Sequence, residues 1–284
     1  MNDQKRNSPT RAVVLGGGGV TGIAWEVGVL AGLLESGVDL YRSDAIIGTS
    51  AGAFVGAALA SRYDMNKLFA EQLESNPAEI SVTASNELMQ AWYQAFATGG
   101  SDPQKVGAEF GLIAKINPSP VSPEQRRNVV ESRLMTKTWP PHLRVTAIDA
   151  DTGELHAFDH QSGVSLLDAV SASGAVPGIW PLVSIGGRIW TDGGMVSTTN
   201  ARLAEGYERI VILSPMPKGF GSIPGAEEDA ADMRASAEVY LITPDERSVA
   251  AIGPNPYDPT RRDVTAIAGR EQGRNMAEAV LAMW

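Results

Sequence analysis

Residues 44–60 read D-A-I-I-G-T-S-A-G-A-F-V-G-A-A-L-A, and this stretch decides the fold. Its first part, Ala45 to Ile47, is a short apolar run that predicts a buried strand. Its last part, Ala51 to Ala60, is small and apolar throughout, which is typical of a helix packed closely against a sheet. The pattern G-x-S-x-G around Ser50 lies between them, so the sequence predicts a serine at a strand-to-helix turn.

Gly48 and Gly52 have a steric purpose on either side of this serine. At a sharp strand-to-helix turn the serine is strained, and side chains at the two glycine positions would collide with neighbouring backbone. The turn lifts the hydroxyl clear of the sheet, and the first amides of the helix are directed at the same point. Ser50 is therefore a candidate nucleophile. The alternative is a small-residue turn without a chemical role, because G-x-S-x-G is also frequent by chance.

A similar order of elements precedes this stretch. Ala12 to Leu15 has the length of a strand, Gly16 to Gly19 follow without a break, and apolar residues then recur at helical spacing as far as Gly37, a predicted C-cap glycine. Strand, helix, strand and helix in succession favour a parallel sheet. We therefore predict a single α/β domain of three layers, with a mostly parallel central sheet and helices on both faces.

The rest of the chain predicts both helices and strands. The predicted helical segments are 65–73, 87–97, 123–135, 166–173 and 263–284. The predicted strands are 143–148, 154–158, 182–185, 188–190, 209–213 and 239–243, with a tight hairpin at Gly186-Gly187. The helical segments between 61 and 141 are interpreted either as a cap over the site or as ordinary packing on the sheet. The segment 218–232, rich in Gly, Pro and acidic residues, is predicted to be a mobile connection.

Composition limits the possible functions. The chain has 284 residues, is 43% hydrophobic and contains no cysteine, which predicts one sizeable core and excludes disulfides, thiolate catalysis and cysteine metal sites. Its formal net charge of -10 would repel phosphate backbones and anionic membranes, so nucleic acid is not an expected partner. The N-terminus lacks an apolar secretory core and no long apolar run follows, from which we expect a cytoplasmic, soluble protein.

A serine alcohol needs a base within hydrogen-bond reach. In a Ser-Asp-His hydrolase of the usual chain order a histidine follows the acid near the C-terminus, but no histidine follows His160 in this chain. Asp192 is the better candidate, because it follows a short predicted strand and precedes Gly193 and Gly194, which let the backbone turn sharply. A carboxylate held against the hydroxyl could accept its proton in place of imidazole. The alternative is that Asp-Gly-Gly forms only a turn.

The glycine run supplies a third part. Consecutive glycines between a strand and a helix leave backbone N–H groups unshielded, which is where a developing oxyanion can be bound. The same letters, Gly17-x-Gly19-x-x-Gly22, match a dinucleotide-binding fingerprint. That fingerprint expects an acid at the end of the second strand, whereas here the acid, Asp44, precedes the strand. A nucleotide is therefore the poorer interpretation.

Taken in order, these motifs resemble the patatin-like phospholipases, serine acyl hydrolases with a Ser-Asp dyad. That family has a glycine-rich oxyanion motif, then G-x-S-x-G, then D-G-[GA]; here they are G-G-G-G-V-T-G at 16–22, G-T-S-A-G at 48–52 and D-G-G at 192–194. Two further segments are similar, T-A-I-D-A-D-T-G-E at 146–154 and S-A-S-G-A-V-P-G-I-W-P at 171–181. The resemblance covers roughly residues 12–214.

The resemblance implies a function and a set of site residues. The implied nucleophile is Ser50, the general base Asp192 and the oxyanion hole the backbone amides of Gly17, Gly18 and Gly19, while Gly22, Gly48, Gly52, Gly193 and Gly194 support the motifs. The implied reaction is hydrolysis of fatty acyl esters, of the lipase or phospholipase A type, through an acyl-enzyme without metal or cofactor. Expected partners are an acyl-ester lipid and a transient membrane or micelle contact, and the oligomeric state is left open.

The same resemblance predicts how the chain is divided. We expect a flexible N-terminus at 1–11, a catalytic region at 12–214 and a C-terminal extension at 215–284 packed on the same domain. The chain departs from the family at Thr21, where an Arg or Lys is frequent, and this bears on phospholipid preference more than on ester hydrolysis. The alternatives from other classes are a nucleotide-binding protein using the 17–22 loop and a non-catalytic relative that binds a lipid or a partner.

Two further groups of residues have two interpretations each. Apolar residues beside the predicted site would suit either an acyl-chain pocket or the core: Val176, Ile179, Trp180 and Leu182. Three acidic residues would suit either a cation site or a polar hairpin turn: Asp149, Asp151 and Glu154.

Overall fold

The computed structural model describes residues 10–221 and 223–284. Residues 1–9 of the predicted flexible N-terminus lie outside the described residues, whereas Arg11 already begins the first strand. Over the described residues, no helix is both long and apolar enough to cross a membrane.

Strands and helices alternate along the first part of the chain and again near its end. The strands are β1 (Arg11–Leu15), β2 (Ala45–Thr49), β3 (Leu143–Asp149), β4 (Leu155–Phe158), β5 (Val183–Ile185), β6 (Arg188–Asp192), β7 (Arg209–Leu213) and β8 (Glu238–Ile242). The α-helices are α1 (Gly19–Glu35), α2 (Ala51–Ala60), α3 (Met65–Gln72), α4 (Asn86–Gly99), α5 (Pro103–Ile116), α6 (Pro123–Arg133), α7 (Leu166–Ser173), α8 (Ala226–Met233), α9 (Glu246–Ile252) and α10 (Arg262–Met283).

The central sheet is mostly parallel. Strands β3, β2, β1, β7 and β8 lie side by side in that order and all run parallel. Strands β4 and β6 both pair antiparallel with β3, and β5 pairs antiparallel with β6 across the predicted Gly186-Gly187 turn. The predicted fold class is confirmed.

Alternate residues of the central strands point into two different layers. Val13, Leu15 and Ile46 belong to a large core formed mainly with helices α1, α2, α3, α7 and α10. Ala12 and Val14 belong to a second core on the opposite face, which α8 and the short turn at 201–204 cover. Because both faces are buried, these strands read as continuous apolar runs rather than as alternating ones.

Helices α1 and α10 approach each other closely through glycine. A Cβ atom on Gly28 of α1 would lie 2.2 Å from the carbonyl oxygen of Ala266, and one on Gly273 of α10 would lie 2.3 Å from the carbonyl oxygen of Val29. The predicted C-terminal helix is confirmed. Its glycines do not interrupt the helix but allow its backbone to contact that of α1. This contact fixes α1, whose first residue belongs to the glycine loop.

One expectation from the sequence needs correction, and one helix was not predicted. The segment 218–232 was expected to be a mobile connection, but its second half belongs to α8, which buries Ala230 and Met233 against the sheet. Helix α5 was not predicted at all. Two of its residues, Gly107 and Gly111, weaken the helical pattern in the sequence. The structure requires glycine at both positions because each packs directly on the backbone of residues 150–153.

Candidate active site

Ser50 lies at the turn between β2 and α2 in a conformation that few side chains adopt. Its φ is 52° and its ψ is -112°, and such a conformation costs about 1–3 kcal/mol in a residue other than glycine. A Cβ atom on Gly52 would lie 2.0 Å from the carbonyl oxygen of Leu15, and one on Gly48 would lie 2.5 Å from the carbonyl oxygen of Gly52. Both glycines therefore have the steric role that the sequence predicts.

Strand β3 brings Asp192 to this turn. Thr49, the last residue of β2, pairs with Thr146, and Asp192, the last residue of β6, pairs with Ala147, the next residue of β3. Strand β4 pairs with both of these β3 residues, so β2 and β6 must share the opposite edge of β3. Their ends meet there, which places residue 50 beside residue 192 although they are far apart in the chain.

The hydroxyl of Ser50 donates a hydrogen bond of 2.7 Å to Oδ2 of Asp192. The other carboxylate oxygen, Oδ1, accepts one of 2.7 Å from the backbone N–H of Gly194. Asp192 is only 1% exposed and Ser50 is 7% exposed. The Asp-Gly-Gly turn thus orients the carboxylate, and the serine has a proton acceptor without any histidine in contact with it.

Burial raises the pKa of Asp192 to about 7, and the hydrogen bonds from Ser50 and Gly194 together with the charge of Arg126 oppose that rise. Burial disfavours the charged form of a carboxyl group, whereas donors and a nearby cation favour it. A carboxylate with a pKa near the working pH accepts a proton more readily than an ordinary aspartate, which suits a general base.

Three consecutive residues at the end of α7 hold three parts of the site. Oγ of Ser173 accepts a 2.8 Å hydrogen bond from the backbone N–H of Ser50. The carbonyl of Gly174 accepts a 3.3 Å hydrogen bond from the guanidinium of Arg126. The carbonyl of Ala175 accepts a 3.1 Å hydrogen bond from the backbone N–H of Asp192. The segment 173–175 therefore sets the relative positions of the serine, the carboxylate and a buried arginine.

Asn200 connects the segments that carry Ser50 and Asp192. Its side-chain amide lies 3.0 Å from Oγ1 of Thr49, 3.3 Å from Oγ1 of Thr146 and 3.1 Å from the carbonyl oxygen of Gly193. It is 4% exposed and has a left-handed backbone with φ 52°. Because it contacts the residue before Ser50 and the residue after Asp192, it holds the backbone on both sides of the Ser50–Asp192 hydrogen bond.

The glycine loop at 16–19 faces the same site, but its amides are not equivalent. The N–H of Gly17 donates a 2.7 Å hydrogen bond to the carbonyl of Thr198. Within residues 10–221 and 223–284, the backbone N–H groups of Gly18 and Gly19 donate to no acceptor. Of the three glycine amides expected to form an oxyanion hole, that of Gly17 therefore braces the loop, and those of Gly18 and Gly19 remain as candidates.

A cavity of about 590 Å³ opens at Ser50, Asp192 and the glycine loop. Its wall is mainly apolar and comes mostly from α4, from the residues after β6 and β7, and from residues 254–257. Its larger apolar side chains include Met89, Trp92, Tyr93, Phe96, Phe110, Val176, Met195, Met216, Phe220 and Tyr257. Among the segments between 61 and 141, α4 thus borders the site, whereas α6 and α3 do not line this cavity.

Several residues considered in the sequence lie elsewhere or have structural roles. Val176 lines the cavity, but Ile179 is buried in the core beside α5. Asp149 accepts hydrogen bonds from the N–H groups of Asp151 and Thr152 and pairs with Arg188, as the hairpin-turn interpretation requires. Among the described residues, no cluster of His, Cys, Asp and Glu could hold a metal ion.

The dinucleotide interpretation is not supported by the position of its acid. Asp44 accepts a hydrogen bond from the N–H of Arg11, at the beginning of β1. The glycine loop follows Leu15, at the opposite end of the same strand. The carboxylate is thus a strand length away from the place where a ribose would need it.

Comparison with known families decides the relationship. The model of the family described as patatin-like phospholipase matches residues 13–205, more than half of the chain. The chain belongs to the patatin-like phospholipase family. A search of the curated proteins finds no match.

Solved structures of two other proteins align with this one over most of its length. VipD from Legionella pneumophila has 14% sequence identity and a TM-score of 0.48, with 95% of this chain and 67% of that chain covered. The type III effector ExoU has 17% identity and a TM-score of 0.43, with 96% and 53% covered. ExoU in its complex with SpcU from Pseudomonas aeruginosa has 18% identity and a TM-score of 0.45, with 96% and 52% covered. The chain therefore spans about half the length of ExoU.

In this patatin-like chain, two residues of the 215–284 segment lie beside the glycine loop, and the sequence did not reveal them. Thr21, at the family's frequent Arg or Lys position, is fully buried, and its backbone N–H and hydroxyl lie 3.2 and 3.4 Å from the carbonyl oxygen of Pro256. Tyr257 packs beside Gly19 and lines the cavity. Neither Pro256 nor Tyr257 belongs to a motif. Asn200 and Arg126 are polar, but no spacing in the sequence distinguishes them from polar residues exposed to solvent.

Proposed function

We propose that this protein is a serine acyl-ester hydrolase that cleaves fatty acyl esters of the lipase or phospholipase A type. The observation that carries the proposal is the 2.7 Å hydrogen bond from the Ser50 hydroxyl to Asp192, located at the end of an apolar cavity of about 590 Å³. A nucleophile, its base and an acyl-sized apolar space in one place suit ester hydrolysis better than ligand binding alone.

The proposed reaction proceeds in two stages. Ser50 Oγ attacks the acyl carbonyl carbon while its proton passes to Asp192, and the amides of Gly18 and Gly19 hold the oxyanion. The intermediate collapses, the bond to the alcohol breaks, and the leaving alkoxide takes the proton from Asp192. Water then attacks the acyl-enzyme and gives a proton to Asp192, which returns it to Ser50 Oγ as the fatty acid leaves.

We also propose that the mouth of the cavity contacts a membrane or micelle transiently. Met89, Tyr93 and Met216 line the cavity and are 38%, 67% and 37% exposed, so an apolar surface surrounds the opening. The net charge of -10 favours neutral or zwitterionic lipid surfaces over anionic ones. The substrate is accordingly proposed to be a neutral or zwitterionic acyl-ester lipid.

The catalytic unit is proposed to include the C-terminal extension. Residues 12–214 carry the motifs, while Pro256 and Tyr257 of the extension contact the glycine loop and β8 joins the sheet. The 215–284 segment would then belong to the same domain as the motifs.

A fluorophosphonate probe tests the proposal directly. We expect stoichiometric labelling of Ser50, mapped by peptide mass spectrometry, and no labelling in Ser50→Ala. Hydrolysis of p-nitrophenyl esters should fall by at least about 10³-fold in Ser50→Ala and about 10²- to 10⁴-fold in Asp192→Asn, because each removes one half of the proton-transfer pair. Labelling of another serine, or full ester turnover in Asp192→Asn, would contradict the proposal.

A further inference from the structure

Within residues 10–221 and 223–284, Arg126 is a buried cation without an ion-pair partner. It lies on α6, is 4% exposed and stacks on Trp180 with its guanidinium carbon 4.0 Å from the ring centre. One guanidinium nitrogen donates to the carbonyl of Gly174. Within the described part of the chain, its Nε and Nη1 atoms have no hydrogen-bond partner. A buried charge is costly unless another charge compensates it.

Two carboxylates lie within electrostatic range of Arg126, those of Glu79 and Asp192. Glu79 already pairs with Arg133 through two hydrogen bonds, so its charge is compensated. Among the cations of the described residues, Arg126 is the one whose charge acts on Asp192. Arg126 and the Asp192 carboxylate therefore carry opposite charges that the other described residues do not neutralise.

The space beside Arg126 does not suit a substrate anion. A cavity of about 20 Å³ lies between Arg126, Ser50, Gly19 and Tyr257. Such a volume holds about one water molecule. A phosphate or carboxylate group of a lipid would not fit there, which directs the charge of Arg126 to the reactive pair rather than to a head group.

Arg126 is held at a fixed place relative to that pair. The carbonyl that anchors it, on Gly174, lies between Ser173, which binds the N–H of Ser50, and Ala175, which binds the N–H of Asp192. A charge anchored in this way acts on Asp192 at a constant distance, without touching it.

We propose that Arg126 is a positioning residue whose buried positive charge keeps Asp192 in its carboxylate form, ready to accept the serine proton. This inference rests on the proposed function, because it assigns Asp192 the role of base. Without the cation, Asp192 would be a buried carboxyl group facing only the Ser50 hydroxyl and the Gly194 N–H. It would then be protonated over more of the neutral range and unable to act as a base.

Other titratable groups face the same region and have to be separated from the effect. Arg133 and Glu79 pair with each other beside Arg126. Tyr257 stands near both Arg126 and Asp192, and burial raises its pKa above the ordinary tyrosine value, so it stays neutral throughout the working range. Burial lowers the pKa of Arg126 to about 9, which leaves it charged at neutral pH.

The test compares Arg126→Met, which removes the charge, with Arg126→Lys, which keeps it. The acidic limb of the pH dependence of kcat/KM for a neutral p-nitrophenyl ester reports the ionisation of the free enzyme's base. We expect this limb to move up by about one pH unit in Arg126→Met, which lowers kcat/KM about tenfold at pH 6, and to stay near its wild-type position in Arg126→Lys. Arg127→Met serves as the matched control, because it removes an exposed cation of the same helix that pairs with Asp168, and its limb should not move.

A second measurement does not depend on catalysis. The carboxyl carbon of Asp192, labelled with ¹³C and assigned by its loss in Asp192→Asn, can be titrated by NMR in wild type, Arg126→Met and Arg126→Gln. We expect the same upward shift in both variants. An unchanged Asp192 titration after removal of the charge, or equal shifts in Arg126→Met and Arg126→Lys, would overturn the inference. If wild type neither reacts with the phosphonate nor cleaves the ester, the proposed function fails, and the NMR titration still decides the role of Arg126.

Discussion

The Asp192 carboxylate accepts a hydrogen bond of 2.7 Å from the Ser50 hydroxyl, and Asp192 is only 1% exposed to solvent. The hydrogen bond and the burial act in opposite directions on the carboxyl group. The hydrogen bond stabilises its charged form, whereas burial destabilises it. Burial prevails, and the pKa of Asp192 rises to about 7.

Ester hydrolysis should therefore depend on pH around neutrality. Only the carboxylate form of Asp192 can take the serine proton, so kcat/KM should rise with pH and level off above about pH 7. A stopped-time assay with a short-chain p-nitrophenyl ester between pH 5 and 9 measures this limb. An acidic limb near pH 4, the ordinary range of an exposed aspartate, would show that Asp192 is not the titrating base.

Because Asp192 is buried, its ionisation should lower the free energy of unfolding at high pH. Because its pKa is higher in the folded chain than in the unfolded chain, its ionisation removes stability as pH rises from about 4 to about 7. Asp192→Asn cannot ionise, so its free energy of unfolding should exceed that of wild type, and the difference should be about 2–3 kcal/mol larger at pH 8 than at pH 5. Urea unfolding at both pH values measures the difference. A gap that does not grow with pH would rule out a raised pKa.

Asn200→Gly isolates the side-chain contacts of Asn200, because glycine accepts its left-handed backbone without strain. Loss of the contacts to Thr49, Thr146 and Gly193 leaves buried polar groups without a partner. We expect a loss of about 2 kcal/mol in unfolding free energy and about 10- to 100-fold in kcat/KM. Arg62→Gly is the control, since Arg62 has a similar φ of 58° but is exposed. Wild-type activity in Asn200→Gly would contradict the assignment.

Met89→Lys tests whether the large cavity receives the acyl chain. Met89 lines the cavity and is partly exposed at its opening, so a charge there should oppose the entry of a long apolar chain. We expect kcat/KM to fall about tenfold for p-nitrophenyl palmitate and to change little for the butyrate ester. Leu112→Lys on the neighbouring helix is the control, because Leu112 is 51% exposed and does not line the cavity. Equal losses on both esters would place the acyl chain elsewhere.

Gly273→Ala tests the close contact of the first and last helices. In an open helix this change would add stability, by up to about 1 kcal/mol. Here the new Cβ would lie 2.3 Å from the carbonyl oxygen of Val29, so the helices must separate and unfolding free energy should fall by about 1–3 kcal/mol. Glu278→Ala, on the exposed side of the same helix, should change it by less than about 0.5 kcal/mol. A stabilised Gly273→Ala would show that the two helices are not in contact.

The sequence was informative wherever a local pattern had one physical meaning. Ala51 to Ala60 is a helix over the same residues as predicted, because small apolar residues after a buried strand leave few alternatives. The hairpin at Gly186 and Gly187 also forms, because both residues adopt a positive φ. The segment 218–232 misled, since an acid-rich run following Gly and Pro is compatible with either a loop or the first turn of a helix.

The sequence could not reveal contacts between distant segments. Asp192 was chosen for its strand and its glycines, yet its meeting with Ser50 depends on both strands pairing with one edge of β3. Arg126, Asn200 and Pro256 reach the site only through packing, and no periodicity marks them. The three glycine amides were treated alike, whereas the fold commits that of Gly17 to Thr198.

The pairing of β1 with β7 sets a practical boundary for shortened versions of this protein. The family match ends at residue 205, but Arg209 to Leu213 supply the neighbour on one side of β1. A fragment ending at that match would turn a central strand into an open edge, with a row of unpaired backbone donors and acceptors ready to recruit another molecule. Such a fragment should precipitate rather than report on catalysis.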